Sequence, residues 1–258
     1  MVRRHLAVLF LLGIISVGSL SSSWAETLVQ QNVDTRVVVA LRVSQAEAQN
    51  WLPAPWQVDP VASGPSKDAN LLLVFLDRAL NLDAEGKPVA GGTDRGLALV
   101  IPAKHAQTGE AAPYVIRVFT VNPQLLPGPY KNSALVATVR REQTLKGTDL
   151  DAGVGTEAWE IRDTAGGMID LRLQYQRAVP ARSKPEAKVR GGPDPNFFRL
   201  YRVDQGTDVV KSIPVGVDRV QSYQLQVTMA ELRKLFDGSE QLVSIAILPW
   251  YVRQVFLP

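Results

Sequence analysis

The chain has 258 residues, with 28 Lys and Arg against 25 Asp and Glu, and it contains no cysteine. The nearly balanced charge, without a basic helix or an interleaved aromatic stripe, argues against nucleic-acid binding. The lack of cysteine excludes disulfides, thiol catalysis, iron–sulfur clusters and cysteine-ligated metals. A domain of this size can be stable without disulfides through apolar burial alone.

Residues 1–25 have the pattern of a secretory signal peptide. Two arginines precede an apolar run over 6–17, and small residues lead to Ala25, after which we predict cleavage. The apolar run is shorter than the ~20 residues of a bilayer-spanning helix, so we expect no stable membrane insertion once it is removed. The prediction is a periplasmic or secreted protein in which residues 26–258 form a single β-rich domain.

Runs of β-branched and aliphatic residues, bounded by Gly, Pro or Asp, predict strands along most of the chain. In order, the nine predicted strands are Thr35–Val43, Asn70–Leu80, Gly96–Pro102, Tyr114–Val121, Ser133–Arg141, Met168–Arg177, Phe197–Val203, Ser222–Val227 and Gln241–Ile247. In the sixth, apolar residues from Ile169 to Tyr175 alternate with polar ones, as in an antiparallel sheet with one solvated face. The runs 70–76 and 244–248 are apolar on both faces, so we expect them to be central.

Two short helices are predicted by the spacing of capping residues. Ser44 and Glu47 match a capping box, and Thr228 and Glu231 repeat it. The second helix would present one apolar stripe, made of Met229, Leu232, Leu235 and Phe236. The predicted class is α+β, strand-rich and mostly antiparallel, with two or three short helices.

Metal, serine-hydrolase and phosphate sites are not expected. His105 is the one histidine after residue 25, and the acidic stretch Asp149–Gly153 lacks the further ligands of a calcium loop. No Gly-x-Ser-x-Gly turn and no glycine-rich phosphate loop stands between a strand and a helix. We therefore predict no metal and no cofactor.

Arg117 lies in a predicted strand whose two faces are otherwise apolar. Strict alternation would place it on the same face as Val115 and Phe119. A guanidinium among core side chains is costly unless it meets an acceptor. Arg117 would bind a carboxylate ligand in a pocket, pair with an internal glutamate, or extend to solvent at a strand end.

Six segments, taken together, resemble one known family. They are NWLPAPWQV (50–58), NLLLVFLDRAL (70–80), YVIRVFTV (114–121), PGPYKNSALVATV (127–139), GGMIDLRLQYQR (166–177) and TMAELRKLFDGSEQLVSIAILP (228–249). In this order they are similar to the acetoacetate decarboxylase-like family. The resemblance implies a cone- or barrel-like closed sheet around a small-molecule pocket. It also implies, for the family's enzymes, a lysine that forms a Schiff base with a β-keto acid.

The chain departs from the family pattern at two catalytic positions. Where the family strand carries a glutamate just after a tyrosine, Tyr130 is followed by Lys131. The Gly-x-Pro-Lys turn that carries the family's lysine corresponds to 153–167, which contains neither proline nor lysine. Decarboxylase chemistry is therefore not carried over. Lys131 is predicted to be a surface or pocket-rim charge, although it stays the one candidate for a catalytic amine.

The resulting prediction is an exported, non-decarboxylating relative that binds a small carboxylate or an apolar metabolite in an internal pocket. Arg117 would hold the carboxylate, Tyr130 and Trp159 would line the wall, and Lys131 would lie at the rim. One alternative is a lyase of the decarboxylase, aldolase or dehydratase type, acting on a keto acid through a Schiff base at Lys131. Another is a non-catalytic envelope interaction protein whose pocket is filled by side chains. The sequence leaves the ligand and the oligomeric state open.

Overall fold

The structure is a computed structural model that describes residues 26–89, 91–126, 130, 133–148 and 153–258. Its strands are β1 Thr27–Arg42, β2 Trp56–Val58, β3 Leu71–Leu82, β4 Asp94–His105, β5 Ala111–Thr120, β6 Ala134–Lys146, β7 Val154–Asp163, β8 Met168–Gln176, β9 Ala181–Ser183, β10 Glu186–Gly191, β11 Phe198–Ser212, β12 Val217–Asp218, β13 Val220–Val227 and β14 Gln241–Leu257. One α-helix, α1 Gln45–Gln49, follows β1. The predicted signal peptide, 1–25, lies outside the described residues.

Seven strands close into a ring. β1 pairs with β14 and β3, β3 with β4, β4 with β5, β5 with β10, β10 with β11, and β11 with β14, which completes the circuit. Among the described residues, only the β5–β10 and β5–β6 pairs are parallel. The predicted strand-rich, mostly antiparallel closed sheet is confirmed.

A second sheet, made of β6, β7, β8 and β13, packs against the outside of the ring. The two sheets are joined where 118–120 of β5 pair in parallel with 134–136 of β6. The main apolar core lies between them. Its largest fully buried side chains include Trp56, Phe75, Tyr114, Trp159 and Tyr175.

The alternation predicted in β8 is confirmed, and it explains how the second sheet packs. Ile169, Leu171, Leu173 and Tyr175 are at most 3% exposed and belong to the main core, whereas Arg172 is exposed. A slip of one residue in this strand would move all four apolar side chains into water. Burial therefore fixes the register of β8 against β7.

The run 70–76 in β3 is apolar on both faces because the ring wall is buried on both sides. Leu71, Leu73 and Phe75 belong to the main core outside the ring. Leu72 and Val74 pack against a separate cluster inside it. The predicted central position of this strand is therefore correct.

One of the two predicted helices forms and the other does not. Ser44 caps α1 as predicted, because its hydroxyl accepts a hydrogen bond from the Glu47 N–H. The predicted helix after Thr228 is only a 3-10 turn, Ala230–Leu232. The Thr228 hydroxyl accepts from the Met168 N–H of β8 at 3.0 Å instead of capping a helix, although the predicted apolar stripe is largely buried.

Several strands differ from the sequence prediction. The strands β2, β7, β9, β10 and β12 were not predicted, and β1 begins eight residues before Thr35. β11 continues nine residues beyond Val203, and β14 continues ten residues beyond Ile247, where the predicted strands ended. Pro249 would interrupt a regular ladder, but the β1–β14 pairing passes from Leu248 to Tyr251 through a register shift. The bulge accommodates the proline, and the strand continues on its other side.

Candidate functional site in the ring interior

One half of the ring interior is apolar. Its buried members are Val100, Val115, Val118, Leu126, Tyr130 and Val189. Leu72 of β3 packs on the same cluster as Val189 of β10, although β3 and β10 are not neighbours in the ring. Side chains therefore meet across the interior and fill this half.

Tyr130 lies in the apolar half and is 3% exposed. Its hydroxyl donates to the Val189 carbonyl at 2.9 Å, and its ring meets Phe197 edge-on with centroids 5.4 Å apart. A Cβ at Gly191 would overlap the Tyr130 ring, so this approach requires glycine. Burial, followed by the proximity of Tyr201, raises the pKa of Tyr130 well above 10.0. The phenol is neutral and has the position of a wall residue.

Arg117 shares only part of the face of β5 that alternation predicted: it stays on the side of Phe119 but is separated from Val115. Leu99 of β4 pairs with Arg117 and Val100 with Val115, so Ile116 is an extra residue in the ladder. This bulge breaks the alternation. Phe119 and Ile116 belong to the main core outside the ring, whereas Val115 belongs to the interior cluster. The expectation that Arg117 shares a face with Val115 is wrong.

Arg117 pairs with a glutamate, but that residue, Glu231, is exposed rather than internal. Its guanidinium donates to the Glu231 carboxylate at 2.6 Å and lies 5.3 Å from the centroid of the Trp51 ring. Trp51 packs on the main core. A carboxylate ligand would have to displace Glu231 to reach Arg117.

Trp159 is fully buried in the main core, outside the ring. Its indole N–H donates to Glu157 at 3.1 Å, and its ring packs 5.6 Å from Phe75. The Arg141 guanidinium lies 5.0 Å from the Trp159 ring centroid and donates to both Glu157 oxygens, at 2.8 and 3.0 Å. It also reaches Asp77 of β3 at 3.0 Å. Trp159 thus belongs to a link between the two sheets.

The predicted site residues are not brought together in one place. Tyr130 faces the ring interior, whereas Arg117 and Trp159 contact the core on the other side of the wall. Lys131 lies outside the described residues.

The other half of the ring interior is polar and buried, and sequence reasoning missed it. Its members, each at most 8% exposed, are Asn32, Asp34, Arg36, Arg78, Asn81, Asp94, Thr120 and Arg253. They project from β1, β3, β4, β5 and β14, five of the seven ring strands. The cluster therefore forms only when these five neighbouring strands pair.

Two ion pairs organise this polar cluster. The Arg36 guanidinium donates to the Asp34 carboxylate at 2.5 Å, and Arg78 donates to Asp94 at 2.6 Å. The Thr120 hydroxyl donates to the same Asp94 carboxylate at 2.8 Å. Burial raises the pKa of Asp94 and lowers that of Arg78. Each charge is held in place by a partner, at a desolvation cost to both.

Arg253 is the third buried guanidinium of the cluster, and it has no carboxylate partner among the described residues. It donates to the Asn32 side-chain oxygen at 3.0 Å and lies 4.5 Å from the centroid of the Tyr201 ring. Asn32 donates in turn to Asn81. On the other side, Arg36 stacks on the Tyr251 ring at 3.3 Å. Aromatic faces therefore surround the cations.

The charges in this cluster do not balance. Three guanidinium groups face two carboxylates, which leaves one buried positive charge in excess among the described residues. Arg78 Nε, Asn81 Nδ2 and Asp34 Oδ1 are buried without a hydrogen-bond partner. Unsatisfied donors in a dry interior cost free energy. A small anion that accepts from Arg78 and Asn81 would remove this cost.

A cleft of about 640 Å³, open to solvent, reaches the polar cluster. Arg78 and Asp94 form part of its wall, and Val121 and Val139 form an apolar part. The exposed Arg95 also lines it. The cleft gives a small anion access to one of the three buried guanidinium groups, that of Arg78.

The sequence contained a signal for this site that the prediction did not use. Arg36, Arg78 and Arg253 each stand beside a run of apolar residues, as Arg117 does. The same argument about unpaired guanidinium groups applied to all four. Only the pairing of the strands tells which of them share one interior.

Neither a metal site nor a membrane-spanning helix is found among the described residues. No group of three His, Asp or Glu side chains there could hold a metal ion. No described helix has the length and apolarity needed to cross a bilayer.

Comparison with known proteins gives matches among solved structures only. No family model and no curated protein matches the sequence. An acetoacetate decarboxylase-like enzyme from Sphingomonas wittichii RW1 matches with a TM-score of 0.59 and 14% identity, over 89% of this chain and 91% of that one. The enduracididine biosynthesis enzyme MppR, complexed with pyruvate, matches with 0.56 and 11%, over 92% and 91%. Acetoacetate decarboxylase from Legionella pneumophila matches with 0.50 and 12%, over 98% and 96%.

These matches extend over most of each chain at very low identity. The chain therefore has the acetoacetate decarboxylase-like fold.

Proposed function

We propose that this protein binds a small carboxylate inside the ring, between Arg36, Arg78 and Arg253, and does not decarboxylate it. The observation that carries the proposal is the excess positive charge of the buried polar cluster. An uncompensated guanidinium in a protein interior costs several kcal/mol unless an anion accompanies it. A planar carboxylate fits the paired N–H groups of arginine.

The bound acid would be small and of mixed polarity. Its carboxylate would accept from Arg78 Nε and Asn81 Nδ2, which are buried and unpaired. Its carbon part would contact Tyr201 and Tyr251, whose rings face Arg253 and Arg36. Keto acids are suitable probes, since MppR, which shares the fold, has been seen with pyruvate. In this proposal the role expected of Arg117 passes to the arginines of the interior, because Glu231 already occupies Arg117.

Binding of pyruvate or acetoacetate, measured by isothermal titration calorimetry, tests the proposal. Arg78→Met should weaken binding about tenfold or more, since one charge-assisted hydrogen bond contributes about 1.5–3 kcal/mol. The matched control is Arg172→Met, which removes an exposed arginine paired with Asp170 on the second sheet. Equal affinity in the wild type and Arg78→Met, or no binding of either acid to the wild type, would refute the site.

The absence of decarboxylase chemistry rests on the sequence, in which 153–167 contains no lysine. A lyase acting on a keto acid is the alternative, with Lys131 as its amine. Borohydride reduction in the presence of acetoacetate, followed by peptide mass spectrometry, separates the two. We expect no adduct; a reduced adduct at Lys131 would establish the lyase.

A second candidate function is that of a non-catalytic interaction protein of the envelope. It is favoured by the filling of the apolar half of the ring by Tyr130, Leu126 and the aromatic ring of Phe197. Native mass spectrometry of the purified protein tests it. A co-purified small acid supports the binder, whereas an empty protein that captures an envelope partner supports this second function.

We also propose that the protein is exported and works in the periplasm or outside the cell. The proposal is supported by the signal-peptide pattern of residues 1–25. Cell fractionation and N-terminal sequencing should find a chain that begins at Glu26. A chain that keeps residues 1–25 in the cytoplasm would refute export.

A further inference from the structure

Strand β6 has a free edge. It pairs with β5 only through Ala134, Leu135 and Val136, and with β7 through 137–146. On the side away from β7, no described strand pairs with 137–146. An antiparallel strand directs half of its backbone N–H and C=O groups to each side, so this edge carries a row of available backbone groups.

The same strand is exposed on both of its faces toward its end. Residues 142–146 are all exposed, and Leu145 is 52% exposed. At the other end of the strand, Val136 is 55% exposed. Exposed edges of this kind pair readily with other chains unless proteins protect them. Apolar side chains at both ends indicate a surface that a partner covers.

The charges along β6 are self-complementary. Arg140 and Glu142 lie on the outer face, 73% and 58% exposed, and pair with each other in one chain. If two β6 strands pair antiparallel about Arg141, Arg140 of each copy lies opposite Glu142 of the other. The same register places Thr138 opposite Thr144. Opposite charges directly across an antiparallel pair are stabilising, and like charges are destabilising.

We propose that the free edge of β6 pairs with the same edge of a second copy, antiparallel and centred on Arg141. The four-stranded outer sheets of the two copies then form one eight-stranded sheet. Arg141 lies on the two-fold axis, and its guanidinium is directed inward to Glu157 and Asp77 of its own chain. Its charge is therefore already compensated before the copies meet. Leu145 of one copy lies opposite Ala137 of the other.

Charge reversal with sedimentation equilibrium tests this interface. Arg140→Glu places two glutamates across the edge at two symmetric positions, and the dissociation constant of the dimer should rise about tenfold or more. Glu142→Arg should have the same effect. The double variant R140E/E142R restores both opposite-charge pairs and should restore the dimer.

The matched control is Arg162→Glu, which reverses an exposed arginine of β7, paired with Glu160 on the same sheet face but away from the edge. It should leave the dimer intact. Circular dichroism of each variant verifies the fold. A wild type that is monomeric at every concentration, or an Arg140→Glu variant that dimerises like the wild type, would overturn the proposal.

Discussion

Removal of Arg141 should uncouple the two sheets. Arg141 projects from β6, is 7% exposed at its side chain, and donates to Glu157 of β7, which is fully buried. It also contacts Asp77 of β3 and Thr35 of β1, both on the ring. Burial alone would lower the pKa of Arg141, but Glu157 and then Asp77 outweigh it and raise the pKa. The guanidinium is charged in the fold and satisfies two carboxylates.

The expected loss of stability in Arg141→Met follows from the Glu157 charge that the substitution leaves buried. In Arg141→Met, the Glu157 carboxylate keeps only the Trp159 N–H, at 3.1 Å, as a described side-chain donor. Breaking one partner of a buried ion pair costs about 3–5 kcal/mol because the other charge stays buried and uncompensated. Met conserves most of the apolar stem, so the packing contribution is small. We expect the free energy of unfolding to fall by about 3–5 kcal/mol.

Urea titration followed by tryptophan fluorescence measures this change, and a double-mutant cycle isolates its cause. Glu157→Gln alone leaves Arg141 without its main partner and should cost a similar amount. The double variant R141M/E157Q removes both charges, so its loss should be clearly smaller than the sum of the two single losses. The control Arg162→Met breaks a pair whose arginine is half exposed and should cost about 1 kcal/mol or less.

If Arg141→Met lowers the free energy of unfolding by less than about 1 kcal/mol, the expected magnitude is wrong. If the losses of the two single variants add up to that of the double variant, the Arg141–Glu157 ion pair is not the cause of the loss. Either result would mean that the Arg141–Glu157 pair, which lies within the second sheet and holds the guanidinium that reaches Asp77 of the ring, does not contribute the expected stability.

Three further predictions concern single residues. A Cβ at Gly206 would overlap the Trp250 ring of the paired strand. Gly206→Ala should therefore lower the free energy of unfolding, measured by urea titration, by about 1–3 kcal/mol. An unchanged free energy of unfolding would contradict this contact. Burial raises the pKa of Tyr114 from 10.0 to about 12, so the unfolded chain loses the phenolic proton first and the free energy of unfolding falls as the pH rises from 10 to 12. Tyr114→Phe should reduce this fall, and an unchanged profile would exclude Tyr114 as its source. Ser44→Ala removes the cap of α1, whose hydrogen bond is long at 3.4 Å. The free energy of unfolding should therefore fall by an amount near the lower end of about 0.5–2 kcal/mol. Thermal unfolding followed by circular dichroism measures this change.

Local sequence patterns predicted much of the fold because the alternation of apolar and polar residues shows which face of a strand is buried. The alternation from Ile169 to Tyr175 gave the correct buried face of β8. The cap at Ser44 gave the start of α1. The cap predicted at Thr228 was wrong because a threonine hydroxyl also serves a neighbouring strand, here through Met168, and a local pattern does not contain that neighbour.

The site was harder to predict, because its members come from strands far apart in the chain. Arg117 was selected as an arginine in an apolar strand, but the extra residue Ile116 placed it on the opposite face from Val115. A bulge depends on the pairing of two strands, and period-two alternation cannot show it. Arg78 and Arg253 are separated by most of the sequence, yet they share one buried cluster.

The sequence by itself determined the strand-rich class and the positions of most strands, because each apolar run must bury at least one face wherever its neighbours lie. It also indicated that Arg117, in an apolar strand, needs an acceptor. Only the tertiary structure decided which charged side chains share one buried cluster, because β14, β1, β3 and β4 become neighbours only when the chain folds into the sheet. The excess charge of that cluster is a sum over those strands, and no single strand contains it.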